Sequence, residues 1–159
     1  MLRLVWAGRT RDPLLASLVD RYLERIRRMT PLRLEEVSAA PSGGPGVAAR
    51  REGTRILERL PSGAAVVALD AGGLEMTSEE LAGWLERRLR ERELALVAGG
   101  HEGLSEDVLA RAGTRLSLSR LTLTHEMARV LLVEQVYRAF TILHGQRYHH
   151  GATRVRAAR

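Results

Sequence analysis

Four short apolar runs, each closed by glycine or by a polar turn and each separated from the next by a helix-length segment, set the strongest limit on how this chain folds. LRLVWA at residues 2–7, LRLEEV at 32–37, AAVVALDAGG at 64–73 and LALVA at 94–98 alternate with amphipathic stretches. Strands that alternate with helices favour a parallel sheet covered on both faces. A second alternating run, TRLSLSRLTL at 114–123, and one long helix in THEMARVLLVEQVYRAFTILHGQRYHH at 124–150 complete the pattern. The third run is expected to end as a buried strand at Asp70. Gly99 and Gly100 follow the fourth run directly, with Gly103 three residues on. Backbone amides there can approach a ligand with no Cβ in the way, at the edge where parallel sheets bind small molecules.

Local signals place the helices. Asp12 and Pro13 form an N-cap and first-turn pair, and Leu14, Leu15, Leu18, Val19, Tyr22, Leu23 and Ile26 then recur at helical spacing until Pro31. The loop AAPSGGPG at 39–46 is too short to divide domains, and a helical pattern follows from Val47 to Leu60. Thr77 and Glu80 match a capping box for a helix carrying Leu81, Trp84, Leu85 and Leu89 on one side. Its arginine-rich end, ERRLRERE, reads as a solvated charge run. Ser105 is expected to cap a short helix containing Val108 and Leu109.

The long helix is the most informative to plot. At 100° per residue, Val133, Val136 and Phe140 fall within about 40° of Arg129 on an ideal helix, so a cation points into an apolar face. That cation needs an acceptor: Glu126 or another carboxylate, or an anionic ligand bearing a phosphate or a carboxylate. His125 lies one turn earlier on the same side, and the pair is expected to face a substrate cleft. On the opposite side Met127, Leu131 and Ile142 surround Arg138, with Glu134 nearby. Two apolar sides imply burial against the sheet on one and against a second copy of the chain on the other.

Several classes of function drop out. Gly8 stands alone after the first strand, so the G-x-G-x-x-G of a dinucleotide fold is missing; G-x-S-x-G, cysteine and H-E-x-x-H are missing too. Neither a metal site nor a nucleophilic triad is expected. No apolar run is long enough to span a bilayer and the N-terminus does not read as an export signal, which makes a cytoplasmic location the expectation. All 25 Lys and Arg positions are arginine and the formal net charge is +6. Arginine grips phosphate with paired hydrogen bonds, which fits an RNA partner, although a coding bias gives the same composition.

The segments VAGGHEGL, SLSRLTLTHEMARVLLVEQVYRA and YHH resemble the RlmH family of SPOUT methyltransferases. That resemblance implies an α/β single domain over residues 1–150 with a C-terminal trefoil knot, followed by a basic tail at 151–159. It implies a homodimer that transfers a methyl group from S-adenosylmethionine to N3 of a pseudouridine in 23S ribosomal RNA, on the assembled ribosome. Three loops near the knot hold the cofactor in such enzymes, which implies contacts from Leu69, Gly99, Leu118, Ser119, Arg120, Leu121, Thr122 and Leu123. Tyr148 and His149 are implied to reach the target base, in their own subunit or its neighbour, beside His125 and Arg129. Either His125 or His149 could take the N3 proton. The chain departs from the family in placing Glu126 where prolines are usual, and in the residues beyond His150. The competing expectations are a non-catalytic ribosome-binding dimer of the same fold and a small-molecule-binding α/β protein unrelated to RNA.

Overall fold

In a computed structural model, which describes residues 1–148, ten elements alternate strictly between strand and helix. The strands are β1 (Leu2–Ala7), β2 (Leu32–Val37), β3 (Ala65–Glu75), β4 (Leu94–Ala98) and β5 (Thr114–Ser117). The helices are α1 (Pro13–Arg27), α2 (Val47–Leu57), α3 (Ser78–Glu91), α4 (Glu106–Arg111) and α5 (His125–Leu143). All pairings are parallel and the spatial order is β2-β1-β4-β3-β5. The expected α/β fold with a parallel sheet flanked by helices is therefore present. His149 and the tail at 151–159 lie outside the described residues.

Period-two alternation along the strands divides the core in two. Leu2, Leu4 and Trp6 of β1, with Leu94 and Leu96 of β4, pack under α1, α3 and α5. Val5 and Ala7, with Val66, Ala95 and Val97, face α2 and α4 instead. Because β1 and β4 are buried on both faces, β4 reads in the sequence as an unbroken apolar run and β1 as one interrupted only by Arg3. The charge within β1 is enclosed and paired: Arg3 meets Glu35 and, at 2.7 Å, Glu93.

The capping signals are fulfilled at two helices, and a third, not read from the sequence, caps α5. Asp12 accepts from the amides of Leu14 and Leu15, Thr124 accepts from Met127, and Thr77 with Glu80 closes a full capping box. Ser105 occupies the N-cap position of α4, but its hydroxyl makes no capping bond. It is buried against Gly53 of α2. On α1 the predicted apolar stripe splits: Val19, Leu23 and Ile26 are buried, while Leu14 and Leu18 are exposed.

Two strands differ from expectation in ways that shape the site. β3 does not stop at Asp70 but runs on to Glu75 past an irregularity between Leu69 and Leu74. Its pairing with β5 resumes there, Leu74 against Leu116 and Glu75 against Ser117. Gly73 makes this possible, since a Cβ would come within 2.6 Å of the Arg115 carbonyl carbon. β5 in turn ends at Ser117, and the remainder of its alternating run forms a loop. Ser117 donates to the Ser119 carbonyl at 3.0 Å and Ser119 Oγ accepts from the Leu121 amide at 3.0 Å, local bonds that replace the ladder.

α5 is clamped by α1 and α3, with Leu132, Val133 and Val136 fully buried. Leu132→Ala is expected to cost ~2–5 kcal/mol in urea unfolding. A loss below about 1 kcal/mol would show that α5 is not held in the core.

Candidate active site

The carboxyl ends of β1, β3, β4 and β5 and the N-terminus of α5 meet at one edge of the sheet, where two cavities adjoin. The larger, about 600 Å³, is lined by Leu69 to Ala71, Ala98 to His101 and Gly103, Leu116, and the segment from Leu118 to His125 without Arg120, together with Ala128. The smaller, about 270 Å³, is bounded by Gly8, Arg9 and Arg11 after β1, by Glu52 of α2, and by Glu102 and Glu126. Gly100, His101 and His125 line both. These three residues are the seam between the two spaces.

Of the residues expected to hold the cofactor, Leu69, Gly99, Leu118, Ser119, Leu121, Thr122 and Leu123 all line the larger cavity. Arg120 does not; its side chain is 87% exposed and faces Glu75 at 3.8 Å. The wall is mainly leucine and backbone. Its size and character suit a flat ring held by apolar contact and a few polar groups, of which Asp70 is one. The glycine turn earns its composition through close approach: a Cβ on Gly99 would collide with the backbone of Gly103 and Leu104, and Gly103 has φ +78°.

His125 stands where it was expected, at the cleft. Burial, followed by the Arg129 guanidinium, lowers its pKa from the ordinary 6.5, so the ring is neutral at physiological pH. Arg129 is placed differently. It is completely buried and lines neither cavity. Its guanidinium donates to the Ala7 carbonyl and, at 3.3 Å, to Thr10 Oγ1, and lies 5.4 Å from the Trp6 ring centroid, while Nε has no partner. In place of the expected carboxylate or anionic ligand, its acceptors are a backbone carbonyl at the end of β1 and the Thr10 hydroxyl, and the side chain lies behind the cleft. Glu126 answers a different need. Its carboxylate accepts the amides of Arg11 at 2.8 Å and Asp12 at 3.2 Å, which holds its own pKa down.

Tyr148 is remote from both cavities within its own chain. It lies on the outward side of α5, where its hydroxyl is 3.2 Å from Tyr22 and donates to Glu134 at 3.1 Å. Its ring packs edge-on against Tyr137 at 4.8 Å, with Arg138 over it. Burial and these neighbours push its pKa up, so the phenol stays protonated. The sequence reading missed Glu52, which is buried and lines the smaller cavity. A signal was available: Ala48, Ala49, Glu52, Gly53 and Ile56 share one buried helical face, and a carboxylate on such a face requires explanation. Among the described residues no acidic or histidine cluster could hold a metal ion, and no helix is long and apolar enough to cross a membrane.

Residues 1–149 match the family model for predicted SPOUT methyltransferases, and the chain belongs to that family. Among its relatives is the ribosomal RNA large subunit methyltransferase H of Geotalea uraniireducens, 38% identical over 151 residues covering 94% of this chain and 99% of the relative. The protein of that name from Anaeromyxobacter dehalogenans is 45% identical over 154 residues, covering 93% and 98%. A solved structure described as a probable methylase family protein from Haemophilus influenzae shares the fold at a TM-score of 0.53 and 16% identity, covering 94% of this chain and 70% of its own.

If burial and Arg129 govern His125 as described, its imidazole titrates by NMR with a midpoint below 6.5. The unfolded chain takes up this proton nearer 6.5, so the stability that His125 contributes is present above that value and lost as pH falls through the folded midpoint. A midpoint at or above 6.5 would contradict the placement.

Proposed function

We propose that this protein methylates N3 of a pseudouridine in large-subunit ribosomal RNA, acting as a homodimer on the assembled ribosome, with the trefoil threading that the family resemblance implies. The observation that carries the reading is the pair of cavities meeting at Gly100, His101 and His125. One has the size and apolar lining for a nucleoside-like cofactor. The other is rimmed by Arg9 and Arg11, arginines that can hold the phosphates flanking a target base. The names of the full-length relatives support large-subunit ribosomal RNA as the substrate.

S-adenosylmethionine supplies, when bound, an electrophilic methyl group on a sulfonium centre. The protein's own task is alignment and exclusion of water. Leu69, Leu118, Leu121 and Leu123 provide apolar walls for the adenine ring, and the turn at Gly99 lets backbone groups reach the ligand. His125, neutral and at the seam, accepts the proton that leaves N3. Arg129 positions it from behind through the end of β1 rather than touching substrate.

The dimer is supported by an apolar surface left open along α1 and α5, which run side by side. Leu14, Leu18 and Met127 are exposed there, and Tyr148 lies on the same helix pair. Within this reading Tyr148 and the neighbouring His149 cover the cavities of the second copy. A protonated phenol suits stacking and hydrogen-bond donation to a base better than proton abstraction.

Calorimetry with S-adenosylmethionine, on free protein and on protein bound to ribosomes, is the first test, followed by mass mapping of methyl groups on ribosomes from a strain lacking the enzyme. The expected result is binding and a single N3-methylated pseudouridine. Leu118→Arg should weaken cofactor binding by about 10-fold or more, since it places a charge in an apolar wall. Failure to bind cofactor in either state would refute catalysis and leave a ribosome-binding dimer.

A further inference from the structure

Among the described residues, Glu52 is the one carboxylate in the wall of the smaller cavity with a buried oxygen that has no hydrogen-bond partner. The residue is 4% exposed, in the middle of α2. Its Oε1 accepts the Ala40 amide at 3.0 Å, whereas Oε2 is buried with no hydrogen-bond partner. The other acids of that wall are engaged: Glu102 accepts the amides of Ala48 and Ala49, and Glu126 those of Arg11 and Asp12. Oε2 also packs close to Gly100, where a Cβ would lie 2.6 Å away, so it sits beside the seam. A buried acceptor in this condition is uncommon in folded proteins, and such atoms gather where a ligand supplies the missing donor.

The donor required is an N–H on a flat ring small enough to enter beside His125. Pseudouridine offers one that uridine lacks. Its sugar is joined through C5, so N1 carries a proton, and the N1–H and N3–H bonds diverge by about 120° across C2. With N3 turned towards the larger cavity, N1–H is directed away from it, to the α2 side. We infer that Glu52 reads the N1–H of pseudouridine through Oε2, making it the residue that separates pseudouridine from uridine at the target position. The inference rests on the N3-methyltransferase reading above. A site built around a buried acceptor discriminates strongly, because the wrong base leaves that acceptor unpaired.

The experiment compares methyl transfer by wild type, Glu52→Gln and Glu52→Asp on two ribosome preparations, both lacking the methyl group. One carries pseudouridine at the target and the other uridine. Glu52→Gln preserves shape and leaves an oxygen for the Ala40 amide, but presents an amide donor where Oε2 stood. Glu52→Asp keeps the negative charge near Arg129 and His125 while withdrawing the acceptor by one methylene. Wild type is expected to favour pseudouridine by about 10-fold or more, and both variants to lose about 10- to 100-fold on pseudouridine with little change on uridine. Cofactor affinity and melting temperature should stay near wild type.

A wild type indifferent to the two bases, or variants that retain its preference, would overturn the role of Glu52 while leaving the methyltransferase intact. An equal loss on both substrates would likewise overturn it, as the mark of a general structural or basic function. No transfer by wild type to either preparation would remove the underlying reading, and this inference with it.

Discussion

The buried guanidinium of Arg129 is the interaction on which the site depends. A cation taken out of water without a carboxylate beside it is expensive, and burial accordingly lowers its pKa. It stays charged because guanidinium is intrinsically so basic. The compensation comes from the Ala7 carbonyl, the Thr10 hydroxyl and the face of Trp6, all at or just beyond the end of β1. Glu126, from the same helical turn, takes the next two free amides at Arg11 and Asp12. One end of α5 therefore holds the β1–α1 connection at four successive points, and that connection carries the arginines at the rim of the smaller cavity.

The parallel sheet explains why two cavities share a wall. With every strand pointing the same way, the loops after β1, β3, β4 and β5 gather at one edge. The extension of β3 beyond Asp70 and the early end of β5 free the Leu118–Thr124 segment to close over the larger space. The same segment leads directly into α5, so His125 and Arg129 are placed by the chain that also forms the ligand wall. The proposed cofactor loop and the proposed proton acceptor are thereby built as one unit.

Much of this was legible in the sequence, for identifiable reasons. Strands buried on both faces announce themselves as apolar runs, and side-chain caps such as Asp12 and Thr77 act within a few residues. The apolar surroundings of Arg129 could be plotted from the α5 periodicity. What could not be read was its partner, because Ala7 lies 122 positions away and contributes a backbone carbonyl that no side-chain pattern encodes. Glu126 was one of the acceptors considered for Arg129, while its partners are the amides of Arg11 and Asp12 in a distant loop, which no side-chain pattern encodes either. Arg120 was included with its neighbours in LSRLTL, yet a loop held by Ser117 and Ser119 points successive side chains in different directions. Glu52 was passed over as an ordinary polar helix position, although its buried neighbours at helical spacing marked it.

The claim that these two spaces form a single reaction site is tested most directly by a crystal structure of the protein with S-adenosylmethionine bound. The adenine ring is predicted to lie among Leu69, Leu118 and Leu123, with the methyl group at the seam by Gly100 and His125 and the smaller cavity open beyond it. Density for the cofactor elsewhere on the molecule, or a methyl group turned away from His125, would contradict it.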